Sequence, residues 1–390
     1  MKNVVIIGAS HAASEAIASL RRLGWQDKIT LIGEETALPY QRPPLSKGYL
    51  KGEVGLQQLA LKKDEFYQKF NVDLMLGQRA TEIQRDNQTV QLESGEVVNY
   101  DYLILATGTR ARQLPVPGAD LPQVKYLRTL ADVDAIKHYI KPDAKLLIVG
   151  AGYIGLEVAA SAVKQGVQVR IVEAMDRVLA RVTSPEVSEF YQSVHREEGV
   201  EIRLATALNK FEQQGDHCIA ELGDGEQLPF DCAIVGIGVI PNIELAEQAG
   251  LACDNGIVVD KFTQTEDPAI FAIGDCSNHP NFIYDRRIRL ESVPNAIGQA
   301  KTAAGVICGS AEAYDQLPWF WSDQYDIKLQ TAGLLQDYDE AVVEGDISAR
   351  KFSVSYFKAG QLIALDAINS PMEFMQARKS IAAEIEGSKH

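Results

Sequence analysis

The stretch from Lys145 to Arg177, KLLIVGAGYIGLEVAASAVKQGVQVRIVEAMDR, limits what this chain can fold into more than any other. Its apolar run Leu146–Val149 is short enough to be a strand buried on both faces. Gly150, Gly152 and Gly155 follow with the spacing G-x-G-x-x-G. Tyr153 to Gln165 reads as a helix with small residues along one side, and Gly166 supplies its stop. A second strand, Val167–Val172, ends at Glu173, near the distance of about 20 residues expected for a ribose-binding acid. The three glycines do different things. Gly150 allows the tight turn, Gly152 admits a pyrophosphate to the backbone, and Gly155 lets helix and strand pack closely. The phosphates then meet N–H groups at the positive end of a helix. G-x-G-x-x-G alone is a weak signal; strand, turn, helix, strand and acid in this order are a specific one.

The chain opens with a second copy. Asn3–Ile7 is an apolar strand, followed by Gly8-Ala9-Ser10-His11-Ala12-Ala13, where Ser10 and Ala13 stand at the places glycine would fill best. Both are small, so close backbone approach is retained. Ser14–Leu23 continues as a helix ended by Gly24, Ile29–Ile32 is the next strand, and Glu34 stands at the ribose position. A further echo pairs Tyr100–Gly108 with Phe230–Gly238: each is a late apolar strand running into a glycine turn after a polar, hairpin-rich stretch. The spacing is too long for a solenoid. Two dinucleotide-binding domains, one nested inside the other, are expected.

At 390 residues two or three domains are expected, each with a full core. A net charge of -15 argues against nucleic acid as the main partner. No apolar run approaches the roughly 18 residues of a membrane span, and Met1-Lys2-Asn3 leads straight into a strand, so neither membrane nor export is expected and the cytoplasm is the default. Cys218, Cys232, Cys253, Cys276 and Cys308 lie at least fourteen residues apart, which offers no C-x-x-C redox pair and no local metal knuckle. No metal site is expected, and reduced thiols are.

Leu38–Gly48, LPYQRPPLSKG, is held by its prolines as an extended loop. Lys47 there is either a solvated surface lysine or an ammonium beside an electron-accepting ring. Thr129 is a candidate N-cap for a helix from Leu130, Val182–Glu198 reads as an amphipathic helix, and Asp254-Asn255-Gly256 as a hairpin turn. Asp267–Asp275, DPAIFAIGD, is an apolar strand whose final acid is either a ligand contact at the carboxyl end of a sheet or a turn cap. Pro294–Ile307 reads as a helix with proline in its first turn. From Trp319 onward, alternating strands such as Lys351–Phe357 and Leu362–Ala367 and a helical tail Pro371–Glu386 indicate an α+β domain. The aromatic run Trp319-Phe320-Trp321 is open between core and cofactor contact.

RPPLSK, GAGYIGLEVAA, GIGVIPN, GDC, ESVPNA and PWFWSDQY together resemble the oxygenase-coupled NADH-dependent ferredoxin and rubredoxin reductases, the putidaredoxin reductase-like FAD flavoproteins, from Val4 to about Arg378. The resemblance implies a glutathione-reductase-like α/β fold of two Rossmann-like domains plus a C-terminal α+β interface domain. Its limits would be 1–112 and 238–317 for FAD, 113–237 for NAD and 318–390 for the last domain. It places Gly8, Ser10, Ala12, Ala13 and Glu34 on the FAD pyrophosphate and ribose, with Arg42, Lys47, Ala80, Ala106, Thr107, Gly108, Arg128, Gly274, Asp275, Val293 and Trp321 among the other FAD positions. Gly150, Gly152, Tyr153, Ile154, Gly155 and Glu173 fall on the NADH site, with Glu157 near the nicotinamide and Gly238 behind it; Lys47 and Glu157 carry the catalytic assignment. Glu173 favours NADH, since a carboxylate binds a free 2′-hydroxyl and repels a 2′-phosphate, whereas Arg177 and Arg181 nearby leave NADPH open.

The implied reaction is hydride transfer from NADH to FAD, then single-electron transfers to a small acidic carrier, a [2Fe-2S] ferredoxin or a rubredoxin, that feeds an oxygenase. Hydride transfer needs alignment more than a protein acid or base. Disulfide-relay relatives carry paired cysteines near the flavin loop, and Tyr40–Leu50 has none. For an acidic carrier the expected contact is a local basic patch of Arg286, Arg287, Arg289 and Lys301; the alternative is a scatter of solvated charges. A monomer or weak homodimer is expected. The rivals are an NADH oxidase or peroxide-linked flavoenzyme, disfavoured by the missing cysteine, and an NADH-sensing flavoprotein.

Overall fold

The computed structural model describes residues 2–215 and 217–388. By contact the chain divides into two units: residues 1–41, 59–110 and 240–320 form the first, and residues 42–58, 111–239 and 321–390 the second.

The first unit is built on a parallel five-stranded sheet in the order Ile270–Ala272, Tyr102–Leu105, Asn3–Ile7, Lys28–Gly33, Val72–Leu76. Strand alternation assigns its two covers. Val4 and Ile6 pack under the helices His11–Arg22 and Val293–Ile307, where Ala12, Ala13, Ala16, Ala300, Ala303 and Ala304 let the backbones approach. Val5 and Ile7 pack on the opposite face, against Ile83, Val90 and Leu92 of an antiparallel three-stranded sheet and against Ala246 and Leu251.

The second unit repeats the plan. Its parallel sheet runs Glu201–Arg203, Gln168–Val172, Lys145–Val149, Cys232–Val235, Val124–Tyr126. Leu147 and Val149 face another antiparallel three-stranded sheet, Leu208–Gln214, His217–Leu222 and Gln227–Phe230. The echo between 100–108 and 230–238 is therefore structural: both apolar runs are the strand beside the glycine-turn strand. Only the fifth strand differs in origin. In the first sheet it follows the intervening domain in sequence, at Ile270–Ala272; in the second it precedes the glycine turn, at Val124–Tyr126.

The same unit holds an antiparallel sheet, in the order Trp319–Gln324, Ile327–Gly333, Gln361–Ile368, Lys351–Lys358, Glu340–Asp346, with the helix Pro371–Ser388 packed on its central strands.

Local expectations hold where capping chemistry is short-range. Thr129 and Asp132 form a capping box at the helix Leu130–Lys137, and Asp254–Gly256 is a tight turn closed by a Cys253–Ile257 bridge. Two differ. The first glycine-turn helix starts at His11, not Ser14, because Ser10 already adopts the extended N-cap backbone. The Leu38–Gly48 segment is not extended throughout: Pro43–Ser46 winds into a 3-10 turn, since prolines in the first two helical positions sacrifice no hydrogen bond.

His195 gives a pH prediction for this fold. Fully buried in the helix Pro185–Glu197, its Nε2 lies 2.8 Å from Gln324 Oε1 and its Nδ1 2.9 Å from the Tyr325 hydroxyl. Burial holds it down at about 4, so it is neutral in the fold, whereas the unfolded chain titrates near the ordinary 6.5. Unfolding takes up a proton between these values. Stability is full above about pH 6.5 and falls by up to about 3 kcal/mol as pH drops through 4. Urea titrations at pH 7 and 4.5 should show this loss shrinking by nearly that amount in His195→Gln; an unchanged pH slope would contradict it.

Candidate functional site: two dinucleotide cradles

In the first unit four chain segments converge at the carboxyl ends of the parallel strands. Gly8 leaves its strand with φ +105°, and a Cβ built there would lie 2.2 Å from the Ala106 carbonyl oxygen, so no other residue fits. The helix after it begins at His11 with no acid in its first turn, leaving the positive end of the dipole uncompensated. Ser10 occupies the N-cap without capping through its side chain, and Ala12 and Ala13 are buried on the helix. Glu34 directly follows the next strand and is exposed, 3.9 Å from Arg79. Thr107 and Asn242 exchange two hydrogen bonds (2.7 and 2.9 Å), which fixes the Ala106–Gly108 turn. Gly274 has φ +77° beside Ala12 and Ala296, with its N–H donated to Gln299 Oε1 at 2.7 Å. Asp275 is in a 3-10 turn, where its Oδ2 accepts from Thr109 at 3.3 Å, and Val293 opens the helix capped by Ser292. Ala80 is set apart from this convergence, buried at the start of an antiparallel strand. Arg42, Lys47, Arg128 and Trp321 belong to the second unit.

In that unit the three glycines of GAGYIG separate cleanly by what a side chain would meet. At Gly150 (φ +100°) a Cβ would fall 2.5 Å from the Gly236 carbonyl oxygen; at Gly155 it would fall 2.4 Å from the Gly150 carbonyl oxygen. At Gly152 it would meet nothing within 4 Å. Two glycines are thus demanded by backbone packing and the third only by whatever fills the open space above it. That space lies at the N-terminus of the helix Tyr153–Val163, again with no acid in its first turn. Glu173 closes the cradle: its carboxylate accepts the Ala151 N–H at 2.6 Å and the Met175 N–H at 2.8 Å, which ties the acid to the glycine turn. These two bonds leave acceptor capacity for a ribose. Ile154 is exposed on the first helical turn, and Gly238, φ +102°, has the Arg181 guanidinium 3.4 Å from its would-be Cβ.

Glu157, buried on the same helix, gathers three partners: Lys47 Nζ at 2.7 Å, the Ser46 hydroxyl at 2.6 Å and the Ser322 hydroxyl at 2.7 Å. Lys47 also reaches the Pro43 carbonyl at 3.3 Å. Lys47 is therefore a partly covered ammonium held at one point by a buried carboxylate. Ser46 and Ser322 lie inside the motifs RPPLSK and PWFWSDQY, yet nothing in either motif indicates their common partner. Arg42 donates to the Arg128 carbonyl at 2.7 Å, joining the proline turn to the start of the next helix. Trp319, Phe320 and Trp321 are all half-buried.

Of the expected basic patch, Arg289 is largely consumed, bonded to Glu291 at 2.7 Å and to the Asp275 carbonyl at 3.2 Å. Arg287 gives its guanidinium to the Val259 and Asn278 carbonyls. Lys301 is exposed. The five cysteines are all free thiols. Among the described residues no helix is long and apolar enough to cross a membrane.

Two parallel sheets, each with a glycine turn feeding a helix and an acid after the following strand, define a protein that cradles two dinucleotides. The chain belongs to the pyridine nucleotide-disulphide oxidoreductase family, whose model matches residues 2–300, and a reductase C-terminal model matches residues 319–390. It is 44% identical to putidaredoxin reductase of Pseudomonas putida over 97% of this chain and 91% of that one. It is 43% identical to rhodocoxin reductase of Rhodococcus erythropolis, over 98% and 90%. The putidaredoxin reductase chain in the crystal structure of its covalent complex with putidaredoxin superposes with a TM-score of 0.95 at 44% identity, covering 97% of this chain and 93% of that one.

Proposed function

We propose that this chain is an FAD-dependent NADH:ferredoxin or rubredoxin oxidoreductase serving an oxygenase, in the cytoplasm, as a monomer or weak homodimer. The duplicated cradle carries the reading. Its domain limits follow as 1–112 with 238–317 for FAD, 113–237 for NADH and 318–390 for the C-terminal domain. The relatives' names, putidaredoxin reductase and rhodocoxin reductase, point to a small iron–sulfur carrier as the electron acceptor.

Bound FAD would supply the conversion of a two-electron hydride into single electrons. The chain's own residues bind and orient. Gly8, Ser10, Ala12 and Ala13 would present the helix N-terminus to the FAD pyrophosphate, Glu34 its ribose contact, and Ala106–Gly108, Gly274, Asp275 and Val293 the remainder of that cradle. Gly150, Gly152, Tyr153 and Gly155 would do the same for NADH, with Glu173 on the 2′-hydroxyl. Lys47, positioned by Glu157, would place a fixed positive charge where electron density is added. No cysteine lies between Tyr40 and Leu50, so nothing in that loop offers a thiol relay.

Arg177 strengthens the preference for NADH. Its guanidinium is spent on the Thr183 carbonyl (2.9 Å), the Ser188 hydroxyl (2.7 Å) and the Ala180 carbonyl (2.9 Å), which leaves little for a 2′-phosphate. The expected kcat/KM ratio is roughly a hundredfold in favour of NADH, falling to about tenfold in Glu173→Ala. Steady-state rates with both nucleotides check it, and a ratio indifferent to Glu173 would remove the acid from the site.

The decisive experiment is anaerobic stopped-flow: NADH should bleach the flavin within milliseconds to seconds, and a ferredoxin or rubredoxin mixed in afterwards should recolour it. Rapid recolouring by oxygen alone would identify an oxidase. A long-lived coloured complex that ignores carriers would identify a sensor.

A further inference from the structure

Asp366 is fully buried in the strand Gln361–Ile368, and three hydroxyls converge on its carboxylate. Thr183 (2.5 Å) and Tyr356 (2.8 Å) donate to Oδ2, and Thr331 (2.6 Å) donates to Oδ1. Two of these partners lead back to the NADH cradle by separate routes within the second unit. The Tyr153 phenol is electrostatically coupled to both Thr331 and Asp366. Thr331, whose hydroxyl is donated to Asp366 Oδ1, thereby links the carboxylate to the Tyr153 phenol. Tyr153 is the first residue of the glycine-turn helix, next to the open space at Gly152.

Thr183 ends the loop that Glu173 begins. Its carbonyl holds Arg177, its N–H is donated to the Leu179 carbonyl at 3.2 Å, and the Leu179 N–H is donated in turn to the Ala151 carbonyl of the glycine turn at 3.0 Å. Leu179 itself adopts φ +53°, a left-handed conformation that bulky side chains avoid. A strained residue of this kind persists only where its surroundings over-determine it. Here the neighbouring bonds of Thr183 and Arg177 do so.

We propose that Asp366 is a positioning residue for NADH: from the C-terminal sheet it braces both walls of the cradle, the helix start through Thr331 and Tyr153 and the ribose-acid loop through Thr183. The role rests on the NADH reading above. It makes nucleotide affinity depend on a carboxylate that belongs to the C-terminal domain and not to the glycine turn.

The test is calorimetric binding of ADP-ribose to the FAD-loaded protein, with single-hydroxyl deletions Tyr153→Phe and Thr183→Val beside Asp366→Asn. Each should weaken binding about tenfold. The pair Tyr153→Phe with Asp366→Asn should lose far less than the product of the two, because both break one chain. In Thr183→Val the loss should appear in KM for NADH with kcat held, and flavin content should stay at the parent level in both hydroxyl variants. A merely structural Asp366 would lower the melting temperature without moving ADP-ribose affinity. That result, or full additivity in the double variant, overturns the role. Parent protein that ignores ADP-ribose would overturn the NADH reading, and this role with it. Should Asp366→Asn fail to fold, the two hydroxyl deletions decide alone: parent ADP-ribose affinity in both overturns the role.

Discussion

Gly152→Ala should lower the affinity for NADH at least a hundredfold and leave the melting temperature within about 1 °C of the parent. The residue has φ -78°, which alanine adopts freely, and its Cβ would meet no protein atom within 4 Å. The fold has no reason to notice the change. A pyrophosphate does, because the methyl group takes the space through which phosphate reaches the first-turn N–H groups. Gly150→Ala and Gly155→Ala supply the contrast. Their methyl groups would sit 2.5 and 2.4 Å from carbonyl oxygens, so both should destabilise the second unit by several kcal/mol, of order 3, before any ligand is added. Thermal unfolding with and without ADP-ribose separates the two classes. If Gly152→Ala binds the nucleotide as the parent does, the GAGYIG turn is only a packing device and the NADH assignment fails.

Glu157→Gln should slow flavin bleaching by NADH by about ten- to a hundredfold and cost about 2–4 kcal/mol of stability. The amide nitrogen would face either the Lys47 ammonium and the Ser46 hydroxyl or the Ser322 hydroxyl, and cannot accept from any of them. Even with its oxygen turned toward Lys47, the amide is neutral, so the ammonium loses its countercharge and keeps only uncharged acceptors such as the Pro43 carbonyl at 3.3 Å. The stability figure is held below that of a fully buried pair because Lys47 keeps about a fifth of its side chain exposed, at 21%. Stopped-flow rates read the first effect and urea unfolding the second. Unchanged bleaching in a variant of normal flavin content would show that Lys47 needs no carboxylate to hold it, and would return Glu157 to a purely structural role.

How much of the site was legible from residues alone depends on the range of the interaction. The turn at Gly150, the helix at Tyr153 and the acid at Glu173 are neighbours in sequence, so their mutual geometry is nearly complete within one βαβ unit. The capping box at Thr129 is likewise a matter of three residues. Where a local rule competed with another, legibility failed. Small residues after Gly8 read as loop, yet the helix begins at His11, and two prolines that forbid a long helix were content with a 3-10 turn.

The chain's order of apolar runs, glycines and acids determined its class: a repeated nucleotide-binding plan closed by an α+β domain. Only the tertiary structure decided which charges meet. Glu157 selects Lys47, Ser46 and Ser322 from segments 111 and 165 residues away, and Asp366 selects Thr183 across 183 residues. Periodicity is a property of a few consecutive residues and survives in the sequence. Partner choice for a buried carboxylate depends on which strands stack against which helices, and that comes into being only when the core closes.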